Sequence, residues 1–243
     1  MEYKNRMTSV KIPSKKTSWK IFNTIARRYD ILNHLLSCGQ DIVWRKKMTR
    51  FLPQREELFH LDLATGTADV ILSFAATGKI KTAIGIDMAS KMLHLGRQKI
   101  AGYHPENMVT FISADAARIP LKRNCADIVT MAFGIRNLEN PYTCLKESYR
   151  VLKPRGRLII LEFSLPSNSW IRALYLFYFR HILPVIGGII SGEKQAYLYL
   201  NRTVENFPYG AEFISLLQQA GFTHVVACPV SLGIATIYCG NRE

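Results

Sequence analysis

Leu61-Asp62-Leu63-Ala64-Thr65-Gly66-Thr67-Ala68-Asp69 joins an apolar run to a helical one, and its reading decides the fold. A tight turn at Gly66 and Thr67 lets backbone N–H groups and a helix N-terminus approach a ligand. Asp87 lies twenty-one residues beyond Gly66, at the end of Ala83-Ile84-Gly85-Ile86 and just before Met88. A carboxylate there can accept both hydroxyls of a ribose. Asp115 closes the third apolar run, in Ser113-Ala114-Asp115-Ala116. It can read an adenine amino group while the Ala116 N–H reads a ring nitrogen. Helix capping or turn chemistry is the plainer alternative for Asp62, Asp87 and Asp115.

Outward from this turn, short apolar runs alternate with helical stretches. The runs are Phe59–Ala64, Thr82–Ile86, Val109–Ser113, Ile128–Phe133 and Leu158–Phe163, with helices predicted near 69–77, 90–101 and 141–151. This alternation predicts βαβ units and a mostly parallel sheet covered on both faces. A last helix near 210–220 and strands His224–Cys228 and Ala235–Cys239 complete it. Upstream, a helix is predicted from about Ser18, its N-cap, through Phe22 and Tyr29. Ser37-Cys38-Gly39 breaks it, and Asp41 is the predicted cap of a second helix through Trp44 and Met48. Residues 1–17 lack periodicity and read as a flexible basic arm, leaving 18–243 as one domain.

The stretch Trp170–Ile190 is apolar and long enough to suggest a membrane span. Arg172, Arg180, His181, Pro184 and Gly187-Gly188 oppose that. Residues 168–207 are instead expected to form an insertion before the last helix, folded as an apolar lid on the substrate side. A plain core helix pair is the alternative.

Hydrophobic residues make up 48% of the 243-residue chain and charged ones 21%, which suits a folded domain and excludes a disordered one. The five cysteines are widely spaced and never form a CxxC pair. No zinc site or disulfide framework is expected, and a reducing compartment is favoured. The basic N-terminus lacks the apolar segment of a secretory signal. Net charge is +14, and the first 50 residues carry twelve Lys or Arg against three Asp or Glu. Such an arm suits nucleic acid, an anionic membrane or an acidic partner, or is simply a solvated tail.

The cofactor turn lacks the Gly-x-Gly-x-x-Gly spacing of dinucleotide folds, because Ala68 stands at the second glycine and no third follows. That second glycine makes room for a pyrophosphate. S-adenosylmethionine has none, so the turn suits it better. Met88, Ala132 at the end of the fourth strand and Tyr29 on the N-terminal helix complete the expected cofactor set.

Longer motifs are more specific: Ile25-Ala26-Arg27-Arg28-Tyr29-Asp30, Ala132-Phe133-Gly134-Ile135-Arg136-Asn137, Arg150-Val151-Leu152-Lys153-Pro154, Leu161-Glu162-Phe163-Ser164-Leu165-Pro166, Ser191-Gly192 and Ala196-Tyr197-Leu198-Tyr199-Leu200. On these motifs the chain resembles the UbiE/COQ5 family of quinone-biosynthesis C-methyltransferases, over nearly everything from residue 20 onward. The resemblance implies an α/β, Rossmann-like class I S-adenosylmethionine-dependent methyltransferase with a seven-stranded, mostly parallel sheet and one antiparallel strand. It implies a polyprenylated quinol substrate: demethylmenaquinol, or alternatively 2-methoxy-6-polyprenyl-benzoquinol. With the basic arm and the apolar insertion, it suggests a cytoplasmic protein that visits the anionic inner face of a membrane, with homo-oligomers compatible and neither metal nor nucleic acid expected. Three positions depart from the family pattern: Ala68 and Arg155, where a glycine is usual, and Leu232, where Gly-Gly-Ile becomes Leu-Gly-Ile.

Methylating a quinol carbon requires a nucleophilic ring, and deprotonating a ring hydroxyl provides one. A free phenol has a pKa of about 10, so a base or a nearby cation must help. Arg136, after the fourth strand, is the preferred group, stabilising a phenolate or orienting a water; a structural salt bridge is the alternative. Asn137 can hold the other ring oxygen, Asp30 is a candidate base, and Tyr197 in the insertion can face the quinone head. Glu162 orients Arg136 or caps a turn.

Three rival readings are weaker. A nicotinamide-dependent oxidoreductase lacks its glycines. A nucleic-acid methyltransferase or binder fits the charge, but Asn140-Pro141-Tyr142 follows the fourth strand instead of ending it. A non-catalytic cofactor-binding subunit sits poorly with the intact Arg136 motif.

Overall fold

The computed structural model describes residues 15–103, 108–185 and 194–243, with backbone alone at 16, 27, 28, 31, 32, 35, 36 and 194–197. Most of the basic arm, Gly187-Gly188 and Ser191-Gly192 lie outside the described residues. In chain order the elements are α1 (Ser18–Leu36), α2 (Gln40–Met48), β1 (Leu58–Leu63), α3 (Asp69–Ala75), β2 (Ile80–Asp87), α4 (Ser90–Ala101), β3 (Val109–Ser113) and β4 (Ala126–Ala132). Then come α5 (Pro141–Val151), β5 (Leu152–Phe163), α6 (Ser169–Phe177), α7 (Lys194–Glu205), α8 (Ala211–Gln219), β6 (Thr223–Val230) and β7 (Ala235–Asn241).

One seven-stranded sheet has the order β3-β2-β1-β4-β5-β7-β6, and β7 alone runs antiparallel to its neighbours. This is the expected α/β architecture. Strands β1 and β4 lie at its centre and are buried on both faces, which is why they read as continuous apolar runs. Phe74, Ile71 and Trp44 from α3 and α2 pack one face, while Leu145, Phe213 and Leu217 from α5 and α8 pack the other. The strand order reverses between β1 and β4, so a crevice opens beyond their C-terminal ends.

Some local expectations are corrected. Lys15–Thr17, the last three residues expected in the arm, form a 3-10 turn leading into α1. Asp41 lies inside the first turn of α2 and does not cap it; left-handed Gly39 precedes the helix, and Asp41 accepts hydrogen bonds from Ser37 and Arg45. Strand β5 begins at Leu152, ahead of the apolar Leu158–Phe163 run, and shifts register around Arg155. Asn140 is the N-cap of α5, its side chain accepting from the Thr143 N–H.

All three departures from the family pattern fall on left-handed backbone: Ala68 at φ 70°, Arg155 at φ 63° and Leu232 at φ 60°. Glycine suits those positions because a Cβ is strained there.

In the insertion, Asn168 caps α6 by accepting from Trp170 and Ile171 N–H groups, and a wide π-type turn spans Tyr178–Ile182. Phe179, Leu183 and Val204 pack with Ile21 and Ile25 of α1 and with Phe163 at the end of β5. The insertion therefore sits over the C-terminal edge of the sheet, against α1. Among the described residues, no helix is long and apolar enough to cross a membrane.

Candidate active site

Two cavities adjoin at this edge. The first is a cleft lined by Tyr29, Gly66, Asp87, Met88, Asp115, Ala116 and Ala132, with Ile86 and Met92 as apolar flanks. Seven of the nine expected cofactor residues thus meet at one place. Asp87 Oδ2 accepts from the Gly66 N–H at 2.9 Å and Oδ1 from the Ala89 N–H at 2.8 Å. The carboxylate fixes the glycine turn while facing the cleft. Burial pushes its pKa up against these backbone hydrogen bonds. Asp115 similarly accepts from the Ala117 N–H at 2.8 Å. Gly134 makes room at the rim, since a Cβ there would meet the Ala64 Cβ at 2.7 Å.

Asp62 and Thr67 line neither cavity. Asp62 is buried beneath the turn because the β1–β4 register pairs it with Thr130, whose hydroxyl donates to it at 2.5 Å. His60 Nε2 lies 2.7 Å from the same hydroxyl, forming a buried His60–Thr130–Asp62 chain. Thr67 donates to Asp30 Oδ1 at 2.6 Å.

That bond also corrects the reading of Asp30 as a base. Its other oxygen accepts from Lys99 Nζ at 2.5 Å, and Lys99 contacts Asp69 at 2.6 Å. Arg45 reaches Asp69 at 3.6 Å and Asp41 at 2.5 Å. Asp30 lines neither cavity; it belongs to an ion network that ties α1 and α2 to α3 and α4. The periodicity of α1 could not say which face meets the lysine.

The second cavity, about 340 Å³, is mostly apolar. Ile21, Ile25, Trp44, Phe163, Phe179 and Leu183 form its walls, and Arg136, Asn137, Tyr175 and Tyr199 bring polar atoms. Tyr29, Phe22, Phe133 and Asn137 line both cavities and form their common wall. Burial raises the Tyr29 pKa, opposed by a hydrogen bond with Asn33 and by the positive field of Arg136. Tyr197 lies on α7, but its side chain is outside the described residues, whereas Tyr199 on the same helix reaches the cavity.

Arg136 is buried, at 4% exposure. Its Nη1 donates to Glu162 Oε1 and to the Phe133 carbonyl, both at 2.6 Å. Asn137 Nδ2 donates to the same carbonyl at 3.2 Å. Phe133 has φ 56°, so both side chains brace a left-handed peptide that aims an aromatic ring into the common wall. Glu162 is the orienting group expected for Arg136, and the guanidinium lies 5.2 Å from the Phe163 ring centre. Arg136 Nε and Asn137 Oδ1 remain buried without a hydrogen-bond partner. Such atoms are costly unless a ligand meets them.

Sequence reasoning missed Tyr175, Phe22 and Trp44 as lining residues. In an aromatic-rich run like Trp170–Ile190, nothing in the letters separates cavity from core.

A family model described as the ubiE/COQ5 methyltransferase family matches residues 9–242. The ubiquinone/menaquinone biosynthesis C-methyltransferase UbiE of Syntrophotalea carbinolica is 43% identical over 223 residues, 92% of this chain and 93% of that one. The demethylmenaquinone methyltransferase of Thermus thermophilus is 39% identical over 222 residues, 91% of this chain and 100% of that one. Among solved structures, a SAM-dependent methyltransferase from Thermotoga maritima superposes with a TM-score of 0.64 at 20% identity, covering 93% of this chain and 100% of that one, a likeness of fold.

Proposed function

Because the chain belongs to the ubiE/COQ5 methyltransferase family, we propose that its two adjoining cavities hold S-adenosylmethionine and a polyprenylated quinol. The chain is an S-adenosylmethionine-dependent methyltransferase acting on a quinone.

The cleft suits the cofactor. Asp87 offers a carboxylate for ribose hydroxyls, Asp115 and the Ala116 N–H suit an adenine edge, and Ile86, Met88 and Met92 offer apolar surface for the ring. The small residues Ala64, Gly66, Ala114, Ala132 and Gly134 leave space. When bound, S-adenosylmethionine supplies an electrophilic methyl group.

The protein's own part is to hold the ring and stabilise its charge. Arg136 supplies a cation in a water-poor cavity, where it favours the ionised ring oxygen and the carbanion character that follows. Glu162 and the Phe133 carbonyl hold that cation still, so little reorganisation is needed as charge develops. Asn137 belongs to both cavities and offers an unpartnered acceptor to a ring hydroxyl. With Asp30 engaged by Lys99, no carboxylate among the expected residues is free to act as the base, which favours a water oriented by Arg136.

The observation that carries this reading is the pair of buried, unpartnered atoms on Arg136 and Asn137 in a mostly apolar cavity. The aromatic walls favour a bicyclic demethylmenaquinol over a methoxy-benzoquinol. A transient visit to an anionic membrane is supported by exposed Trp170, Leu174 and Phe177, which follow helical spacing on α6. Incubation with labelled S-adenosylmethionine and each reduced quinone separately tests the reading. Label on the demethylmenaquinol ring carbon is expected; label on neither ring would overturn it.

A further inference from the structure

The insertion contributes a buried polar atom that the reaction outlined above does not use. Tyr175, on α6, stacks on Phe179 with ring centres 5.1 Å apart and lines the larger cavity, while its hydroxyl is buried with no hydrogen-bond partner. A phenol hydroxyl in such a place gains by meeting a ligand and costs stability until it does. Tyr199, brought to the same cavity by α7, also has a buried hydroxyl without a hydrogen-bond partner, but Ser18 lies beside it and opposes the rise in pKa that burial causes.

Tyr175 lines the quinol cavity and not the cofactor cleft, whereas Asn137 lines both. The reacting carbon must face the common wall. With the ring oxygen next to that carbon given to Arg136, the oxygen para to it is left for the α6 side of the cavity. We propose that Tyr175 is a specificity-determining residue that donates its hydroxyl to this second, remote ring oxygen, so that the cavity selects a ring with two para oxygens. The assignment rests on the quinol reading of the cavity. Burial raises the Tyr175 pKa, with the field of Arg136 opposing, so the phenol keeps its proton and acts as a donor and not as a base.

A pair of substrates and one substitution test this. Reduced demethylmenaquinone has both oxygens. A 3-prenyl-1-naphthol keeps the hydroxyl beside the reacting carbon and lacks the one para to it. The native enzyme should favour the diol by about tenfold or more in kcat/KM, the range for a buried hydrogen bond to an oxygen carrying partial charge. Tyr175→Phe should bring that preference to within about threefold, by slowing the diol and not the single-hydroxyl ring. Its ligand-free melting temperature should equal or exceed that of the native protein, since an unsatisfied buried hydroxyl is removed. A folded Tyr175→Phe that keeps the full preference overturns the assignment. So does a marked fall in ligand-free melting temperature, which would make the hydroxyl structural. Methylation of neither ring by the native enzyme overturns the quinol reading itself, and Tyr175 with it.

Discussion

Arg136 and Glu162 form an ion pair of 2.6 Å in which neither side chain is more than 5% exposed. The salt bridge read from sequence as the alternative role of Arg136 is therefore present, and it does not conflict with the proposed role of the same cation in stabilising a ring oxyanion. Removing one partner of such a pair strands the other's charge in a dry interior.

Arg136→Met alone should thus cost roughly 3–5 kcal/mol of stability as well as activity. Arg136→Met with Glu162→Gln should recover most of the stability, because the amide still accepts from the Phe163 N–H without a charge. Turnover should stay down by roughly a hundredfold or more, as when one preorganised charge donor is lost. Thermal melts and methylation rates on both variants decide it; a double variant that regains turnover would remove Arg136 from the chemistry.

Asp87→Ala should weaken S-adenosylmethionine binding by about 1.5–3 kcal/mol for each charge-assisted hydrogen bond lost. Because Asp87 also holds the Gly66 and Ala89 N–H groups, the turn should loosen too, and amide exchange at Gly66 should accelerate. Calorimetry showing native affinity in the folded variant would rule out a ribose contact.

The His60–Thr130–Asp62 chain makes a pH prediction. Burial lowers the His60 pKa from 6.5 to about 3 and raises that of Asp62 from 3.8 to about 7. Between about pH 4 and 6.5 the unfolded His60 binds a proton that the folded one does not, so its contribution to stability is lost as pH falls. Over nearly the same window the folded Asp62 binds a proton that the unfolded one does not, so its contribution is lost as pH rises. The slopes oppose, and these two groups together should leave stability nearly level there. Asp62→Asn should expose the His60 slope, up to about 1.4 kcal/mol per pH unit, with stability falling toward acid. His60→Gln should show the reverse. Urea melts at four pH values would detect either tilt, and parallel profiles for both variants would refute the pairing.

Arg155→Gly should raise stability by roughly 1 kcal/mol, because Arg155 is exposed and strained and loses no buried contact. Ala68→Gly should be near neutral. Its relief of left-handed strain is offset by a buried methyl worth about 0.8 kcal/mol and by the backbone entropy of glycine. Equal gains from both in denaturant melts would contradict this ledger.

Sedimentation with anionic vesicles should show reversible binding that fades with salt. Trp170→Ser with Leu174→Ser should weaken it by tenfold or more, since each side chain carries about 1.5–3 kcal/mol when fully buried. Unchanged binding would place the contact elsewhere.

The strand–helix alternation was legible because β1, β4 and the apolar half of β5 are buried on both faces and their turns carry acidic ends. The same logic placed Asp87 and Asp115 in the cleft. It failed at Asp62, because period and position do not reveal that a register pairs it with Thr130 beneath the turn. It failed at Asp30 for a similar reason: Lys99 and Thr67 are distant in sequence and meet it only after α1 docks. Tyr175 was hidden among aromatic neighbours in a segment interrupted by a wide helical turn, where no fixed period assigns a face.

Phe22, Tyr29, Phe133 and Asn137 are a partition between two rooms. If quinol and cofactor fill the two cavities as proposed, both touch this shared wall, and any shift one imposes on it is felt by the other. Linkage is reciprocal: whatever factor the quinol applies to cofactor affinity, the cofactor applies to quinol affinity. The same bookkeeping governs the spent pair after reaction. On the proposed filling of the two cavities, the affinities of the apolar and polar products should depend on each other through these four side chains.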